Sequence, residues 1–296
     1  MRSRKSCDDV KPDPDVVGGV AEPQFVRLPD PVTMFAERAR RLQALAVDNP
    51  LGPYMVFLRG LVAAQAAVAD GMPRSEPPQT LPAKQQLQDD PDFAAILNAL
   101  LIHHRTSDAP ADARAARDRV AALDPASRLA LAIGIFDAAY APDRIGESLY
   151  IAAAMQVYLA RRAACLDQAI LQPHPENLCP CCGAAPVASL IAGWTRANKA
   201  RYLCCSLCGT LWNFVRIKCV SCGSTDGISY YTIDGVRQDV AVETCTACRT
   251  YIKHLQQHEN PRLEPFADDI ASHGLDVLIR EQGFGRSGVN PLLIGG

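Results

Sequence analysis

Four Cys-x-x-Cys pairs constrain this chain more than any other feature: Cys179 with Cys182, Cys205 with Cys208, Cys219 with Cys222, and Cys245 with Cys248. The last two pairs follow the first two at one constant interval, Cys179 to Cys219, Cys182 to Cys222, Cys205 to Cys245 and Cys208 to Cys248, without gap or slip. Such a fixed offset marks an internal duplication. Gly183 recurs as Gly223 and Thr210 as Thr250, and the passage between the knuckles of each copy has the length of a short hairpin. Two residues between cysteines let both sulfurs converge on one ion at about 2.3 Å, while the turn amides point at the thiolates and offset their charge. Two such turns make a tetrahedral S4 site. A unit this small buries too little to fold alone, so metal is expected to supply folding free energy on the order of 10 kcal/mol.

The repeat also sorts the crowded stretch Leu178–Gly183, which reads LCPCCG. At the repeat interval, Cys181 corresponds to Ser221 and Cys204 to Thr244, so these two cysteines have no counterpart and are surplus to coordination. Two readings stand for them, a dithiol across site one or two incidental thiols. The expected ligand sets are Cys179, Cys182, Cys205 and Cys208 for one ion, and Cys219, Cys222, Cys245 and Cys248 for the other. Pairing across the copies is the alternative. Four thiolates suit Zn²⁺ and a single rubredoxin-type iron alike.

Ten of the twelve cysteines lie between Cys179 and Cys248, and Cys7 and Cys165 read as free thiols. No apolar segment follows the basic start MRSRK, so neither a secretory nor a twin-arginine signal is read. The apolar runs around Leu129–Ala141 and Leu149–Ala160 fall short of the roughly 20 residues of a spanning helix. These points lead to an expectation of cytoplasmic location without membrane insertion, where clustered thiols serve metal or redox chemistry. A net charge of −2 gives no global electrostatic case for nucleic acid.

The chain divides into chemically different halves. Residues 1–29, rich in Pro, Asp and Gly, read as an extended arm. From 30 to 172 the pattern is helical. Asp30-Pro31, Asp90-Pro91 and Asp124-Pro125 each precede apolar residues spaced at three and four, as an N-cap followed by proline should. Further helices are expected over about 53–69 and 147–169, with Gly71–Pro82 as a loop. Past Pro173, β-like runs appear at Ala188–Trp194, Leu211–Ile217 and Ile228–Ile233. The expected fold is α+β: an all-α N-terminal domain, metal modules over 173–216 and 217–258, then a C-terminal helix (Pro265–Gln282) and tail within 259–296.

His254 and His258 stand at i and i+4, the spacing of a two-histidine metal face on a helix, but eight thiolates already satisfy two ions, so a solvated pair is expected. His103 and His104 are expected at a helix C-terminus with the dipole, and His174 in a loop. Tyr202, Trp212, Tyr230, Tyr231 and Tyr251, interleaved with Arg201, Arg216, Lys218 and Lys253, admit a nucleic-acid face or ribbon cores; balanced charge favours the cores. No Ser/His/Asp signature, phosphate-binding glycine loop or HExxH motif is present.

Several stretches carry a resemblance: the CPCCG start at Cys179–Gly183, RYLCCSLCGTLW, VRIKCVSCG, ETCTAC followed by TYIK, and the ending GFGRSGVNPLL. On these the chain resembles the FdhE family, accessory proteins for formate dehydrogenase formation. The resemblance implies a cytoplasmic maturation factor acting on the catalytic subunit of respiratory formate dehydrogenase before export, and not an enzyme. It places the family's ligands on the eight repeat cysteines and favours iron over zinc for the two ions. A rubredoxin-like redox protein that transfers electrons or protects the client is the alternative function, and a nucleic-acid-binding ribbon a third.

Overall fold

A computed structural model describes residues 23–73, 87, 90–104, 109–195, 197–233 and 237–293. Cys7, most of the expected arm and most of the Gly71–Pro82 loop lie outside the described residues.

Helices fill the N-terminal half: α1 (Pro31–Leu45), α2 (Gly52–Gly71), α3 (Pro91–His103), α4 (Ala111–Ala122), α5 (Pro125–Phe136) and α6 (Ile145–Ala163). All three expected Asp-Pro starts cap helices. The carboxylates of Asp30, Asp90 and Asp124 accept from the backbone N–H of Thr33, Asp92 and Ser127 at 3.2, 2.9 and 2.9 Å, each cap being worth about 1 kcal/mol. In α6 the run AAAMQVYLA is apolar nearly all round, which suits only a helix covered on every side. It is buried along most of its length, with α2 to α5 packed around it. The helix stops at Ala163, short of the expected end, and a single 3₁₀ turn follows at Gln168–Ile170. Among the described helices, α2 alone has the length and hydropathy to cross a membrane, and half of that stretch is buried, its neighbours being α1, α3 and α6.

The second half, joined by β1 (Val26–Arg27) from ahead of α1, builds an eight-stranded sheet with β2 (Pro186–Ile191), β3 (Arg201–Cys205), β4 (Leu211–Asn213), β5 (Ile228–Tyr231), β6 (Val240–Cys245), β7 (Thr250–Leu255) and β8 (Gly285–Arg286). Its order is β1-β4-β3-β2-β7-β6-β5, with β8 beside β7. The strands the sequence suggested are present but shorter, ending at Ile191, Asn213 and Tyr231. The duplication is visible in the register. Leu203 pairs with Trp212 and Glu243 with Ile252, the same pairing advanced by one repeat. The other hairpin of each copy differs: Leu190 faces Tyr202 but Tyr230 faces Glu243, a one-residue shift that accompanies a bulge at the start of β2.

The two copies join through parallel pairing of β2 with β7, Ser189 opposite His254. Arg201, fully buried, fastens this seam. It donates to Ser189 Oγ and Glu243 Oε1, both at 2.8 Å, and to the carbonyls of Val215, Arg216 and Lys218 in the segment leading to Cys219. A buried guanidinium with this many acceptors orders the inter-copy linker while satisfying its own donors. Arg201, Lys253, Tyr202, Trp212 and Tyr251 are all buried and belong to ribbon cores, whereas Tyr230, Tyr231 and Arg216 of the same set are exposed.

The expected C-terminal helix is two helices, α7 (Pro265–Ala271) and α8 (His273–Glu281), broken at Ser272, whose hydroxyl caps the carbonyl of Asp268. This end of the chain packs back onto the helical half. Arg38 meets Glu264 at 2.9 Å, Arg41 meets Asp268 at 2.7 Å, and Tyr54 donates to the carbonyl of Leu292.

Candidate metal centres

Each knuckle is a tight turn closed by its own backbone. Gly183 N–H donates to the carbonyl of Cys179 and Gly223 N–H to that of Cys219, at 2.9 and 3.1 Å. Both glycines hold a left-handed conformation, with φ of 74° and 75°. In the second knuckles the equivalent left-handed residue is Gly209 in one copy and Arg249 in the other.

These turns gather the sulfurs into two clusters, one per copy. Within each, all four lie within 4.8 Å of one another. In site one Cys179 to Cys208 is 3.5 Å, Cys182 to Cys205 3.4 Å and Cys182 to Cys208 3.6 Å. In site two Cys219 to Cys248 is 3.6 Å and Cys222 to Cys245 3.8 Å. A tetrahedron of sulfurs about 2.3 Å from a central ion has edges of about 3.8 Å, so both clusters fit an S4-bound metal. None of the described cysteines is in a disulfide. The two clusters could therefore hold two metal ions, one from each copy's own thiols.

Within each cage, donors favour the thiolate at some sulfurs while burial opposes it at others. Backbone N–H groups of Leu207 and Cys208 point at Cys205 Sγ at 3.4 Å, and that of Cys222 at Cys219 Sγ at 3.5 Å. Thr210 Oγ1 lies 3.1 Å from Cys208 Sγ, and Thr250 Oγ1 3.0 Å from Cys248 Sγ. These threonines were legible in the sequence as repeat markers; their role as neighbours of the last sulfur in each cage was not read from it. Burial, assisted by hydrogen bonds with neighbouring thiols, pushes the Cys179 thiol well up. For Cys208 burial acts in the same sense, but hydrogen bonds from Cys179, Cys181 and Cys182 outweigh it and bring the group down to about 6. Site two repeats the pattern. Burial lifts Cys219 to about 12, while at Cys248 hydrogen bonds from Thr250 and the other thiols overcome burial and lower it to about 7.

The surplus thiols have different neighbours. Cys181 is half-buried and adjoins the ligand Cys182 in the first knuckle of site one. Cys204 alternates with Cys205 on β3, so its side chain leaves the sheet on the other face, where it lines a cleft against α1. His103 and His104 stand at the C-terminus of α3 as expected, but two of the histidine expectations need correction. The HLQQH segment is not helical: His254 lies on β7, buried, with Nδ1 3.1 Å from Ser189 Oγ, so it is not half of a solvated pair. His104, expected to serve a helix dipole, is buried beside Tyr150 Oη at 3.2 Å. His174 is in a loop, where its Nδ1 accepts from Glu176 N–H.

Family models match in succession the FdhE N-terminal region over residues 23–176, the central domain over 178–216 and the C-terminal domain over 217–293. A protein named Protein FdhE homolog from Rhizobium meliloti (strain 1021) is 37% identical, over 98% of this chain and 99% of its own length. The chain belongs to the FdhE family. A second FdhE homolog, from Stutzerimonas stutzeri (strain A1501), is 33% identical over 95% of the chain and 96% of its own length. The crystal structure of the FdhE protein from Pseudomonas aeruginosa superposes with a TM-score of 0.79 at 27% identity, covering 92% of this chain and 99% of that one. The FdhE likeness thus runs through both the helical half and the two sulfur clusters.

Proposed function

We propose that this protein is a non-enzymatic accessory factor for formate dehydrogenase: it binds the catalytic subunit in the cytoplasm, before that subunit is exported, and promotes its maturation. In this reading Cys179, Cys182, Cys205 and Cys208 hold one metal ion, and Cys219, Cys222, Cys245 and Cys248 another. Iron is favoured over zinc by the family resemblance, while the S4 donor set accepts either. The observation that carries the proposal is the pair of four-sulfur clusters in a chain that FdhE family models match from residue 23 to 293. When bound, the metals lock four turns that otherwise have little core of their own, and so present a rigid ribbon surface.

The test is a deletion strain complemented by variants. Deletion should abolish formate dehydrogenase activity, and tagged protein should capture the catalytic subunit. Normal activity in the deletion strain would overturn the accessory role.

A second reading, electron transfer or protection of the client at a rubredoxin-like iron, draws support from the exposure of Cys222, which leaves one edge of site two open to a partner. It requires a ferric thiolate absorption that bleaches on reduction, and a zinc-substituted protein that fails to complement.

A further inference from the structure

Between α1 and the first-copy strands lies a cleft of about 600 Å³, bordered on its third side by the segment Pro261–Pro265. That volume falls in the roughly 300–1,000 Å³ range of ligand pockets. One wall is apolar, made by Met34, Leu190, Leu211 and the half-buried Trp194. The rest is rich in arginine, and the arginines are unequally engaged. Arg41 is taken by Asp268, and Arg40 lies 3.9 Å from Glu37. Arg27 rests its guanidinium 4.5 Å from the Trp194 ring centre, and neither it nor Arg262 has a carboxylate partner among the described residues. Arg38 is only 1% exposed, held over the Phe266 ring at 3.6 Å and by Glu264 through Nε, yet its buried Nη1 has no hydrogen-bond partner among the described residues. A buried cationic donor without an acceptor is costly, and such sites are normally completed by something.

Two of the three carboxylates in the lining are already committed. Asp30 caps α1 through Thr33, and Glu264 accepts from Arg38 and from the N–H groups of Phe266 and Ala267. The charge left over is cationic, while Asp30, Glu37 and Glu264 disfavour a dianion such as phosphate. A single carboxylate between aliphatic groups suits this surface. Tryptophan and arginine are also the residue types that anchor protein partners.

We infer that this cleft docks an acidic-apolar peptide segment, with Arg27, Arg38 and Arg262 receiving its carboxylate and Trp194, Leu190 and Leu211 its aliphatic side chains. The inference rests on the cleft alone and holds whichever protein supplies the segment. Because Cys204 and Gly209 line the same cleft, the occupant would sit against the outer face of the site-one knuckle.

The test is calorimetric titration of the full-length protein with blocked peptides of sequence Gly-Leu-Asp-Leu-Gly and with its Asn and Lys counterparts, alongside N-acetylleucine and inorganic phosphate. The Asp peptide should bind saturably and change tryptophan emission, the Asn peptide should bind about tenfold more weakly, and the Lys peptide should not bind. Arg27→Glu and Arg262→Glu, both at exposed positions, should each weaken binding several-fold without altering the thermal midpoint or metal content. Arg216→Glu, the same charge change outside the cleft, should leave affinity unchanged. Equal binding of Asp and Asn peptides, or equal loss with Arg216→Glu, would overturn the assignment. N-acetylleucine or phosphate matching the peptide's affinity would replace the peptide by a small anion, and would also overturn it.

Discussion

The two sulfur cages are copies of one unit and share their internal geometry, yet the protein treats them differently. Site one is enclosed. Cys205 and Cys208 are fully buried, Gln156 of α6 donates to the carbonyl of Ser206 in its second knuckle, and Met34 of α1 presses onto Gly209. Site two lies at the surface with Cys222 exposed, covered by hydroxyl contacts among Ser221, Thr250 and Ser287 and by Arg249 over Phe284. The lesson is that a repeat preserves what its own atoms dictate, the turn and the thiol spacing, whereas burial is set by what the rest of the chain lays on top. One cage became part of the protein's core and the other stayed within reach of solvent.

The largest break in this symmetry is expected from ligand substitution. Cys205→Ser should release the site-one ion and cost on the order of 10 kcal/mol of folding free energy, enough to unfold a domain of ordinary stability. Cys222→Ser should lose one ion from the rim and leave the helical half and site one folded. Native mass spectrometry with circular-dichroism melting distinguishes the outcomes; equal damage from both would erase the distinction drawn here.

The second test concerns the shared left-handed turn. A Cβ on Gly209, where φ is 75°, would collide with Met34 Sδ. Gly209→Ala should therefore cost about 2–4 kcal/mol, from the backbone conformation and the displaced methionine together. The counterpart Arg249 already holds φ at 59° with a side chain. Arg249→Gly should stay within about 1 kcal/mol of the parent, since relief of the backbone offsets the lost stacking on Phe284. Denaturant midpoints measure both.

Acid should act on the seam that joins the copies. Burial, followed by the charges of Arg201 and Arg216, lowers the His254 pKa from 6.5 to about 3. The unfolded chain thus takes up the proton first, so this contribution to stability is whole above about pH 6.5 and is lost as pH falls towards 3. At pH 5 the loss amounts to about 2 kcal/mol for one such group. His104, lowered to about 4 by burial and then by Arg117, works in the same direction in the helical half. Comparing His254→Gln with the parent at pH 7 and pH 5 isolates the seam from the thiols. An unchanged pH dependence in the variant would remove His254 from the account.

The smallest expected effect is kinetic. With a chelator in excess, the site-two ion should leave roughly tenfold faster than the site-one ion, a difference of ~1.4 kcal/mol in opening free energy. Two equal phases would mean that the helical cover does not protect site one.

Much of this was legible in the sequence wherever a signal was local. The constant repeat interval grouped the eight thiols as the structure groups them, and the Asp-Pro pairs marked three helix starts because cap and proline act within one turn. What escaped depends on distant partners. Helix α4 buries only Ala116 and Val120, too thin a stripe to show a period. The parallel β2–β7 seam joins segments from different copies, far apart along the chain, and no local pattern encodes it. His254 looked like half of a solvated pair because a buried polar residue announces itself only through the partners that the fold brings to it, here Ser189. The break at Ser272 was hidden by an apolar period that continues across it.

The central claim is that the eight repeat cysteines form two S4 metal cages. Sulfur-edge and metal-edge X-ray absorption on protein purified without air, with native mass spectrometry of the Cys181→Ser/Cys204→Ser variant, tests it most directly. Two ions per chain, each with four sulfurs at about 2.3 Å, retained in the variant, is the expected result. A single ion, a mixed nitrogen and sulfur shell, or loss of one ion in the variant would contradict it.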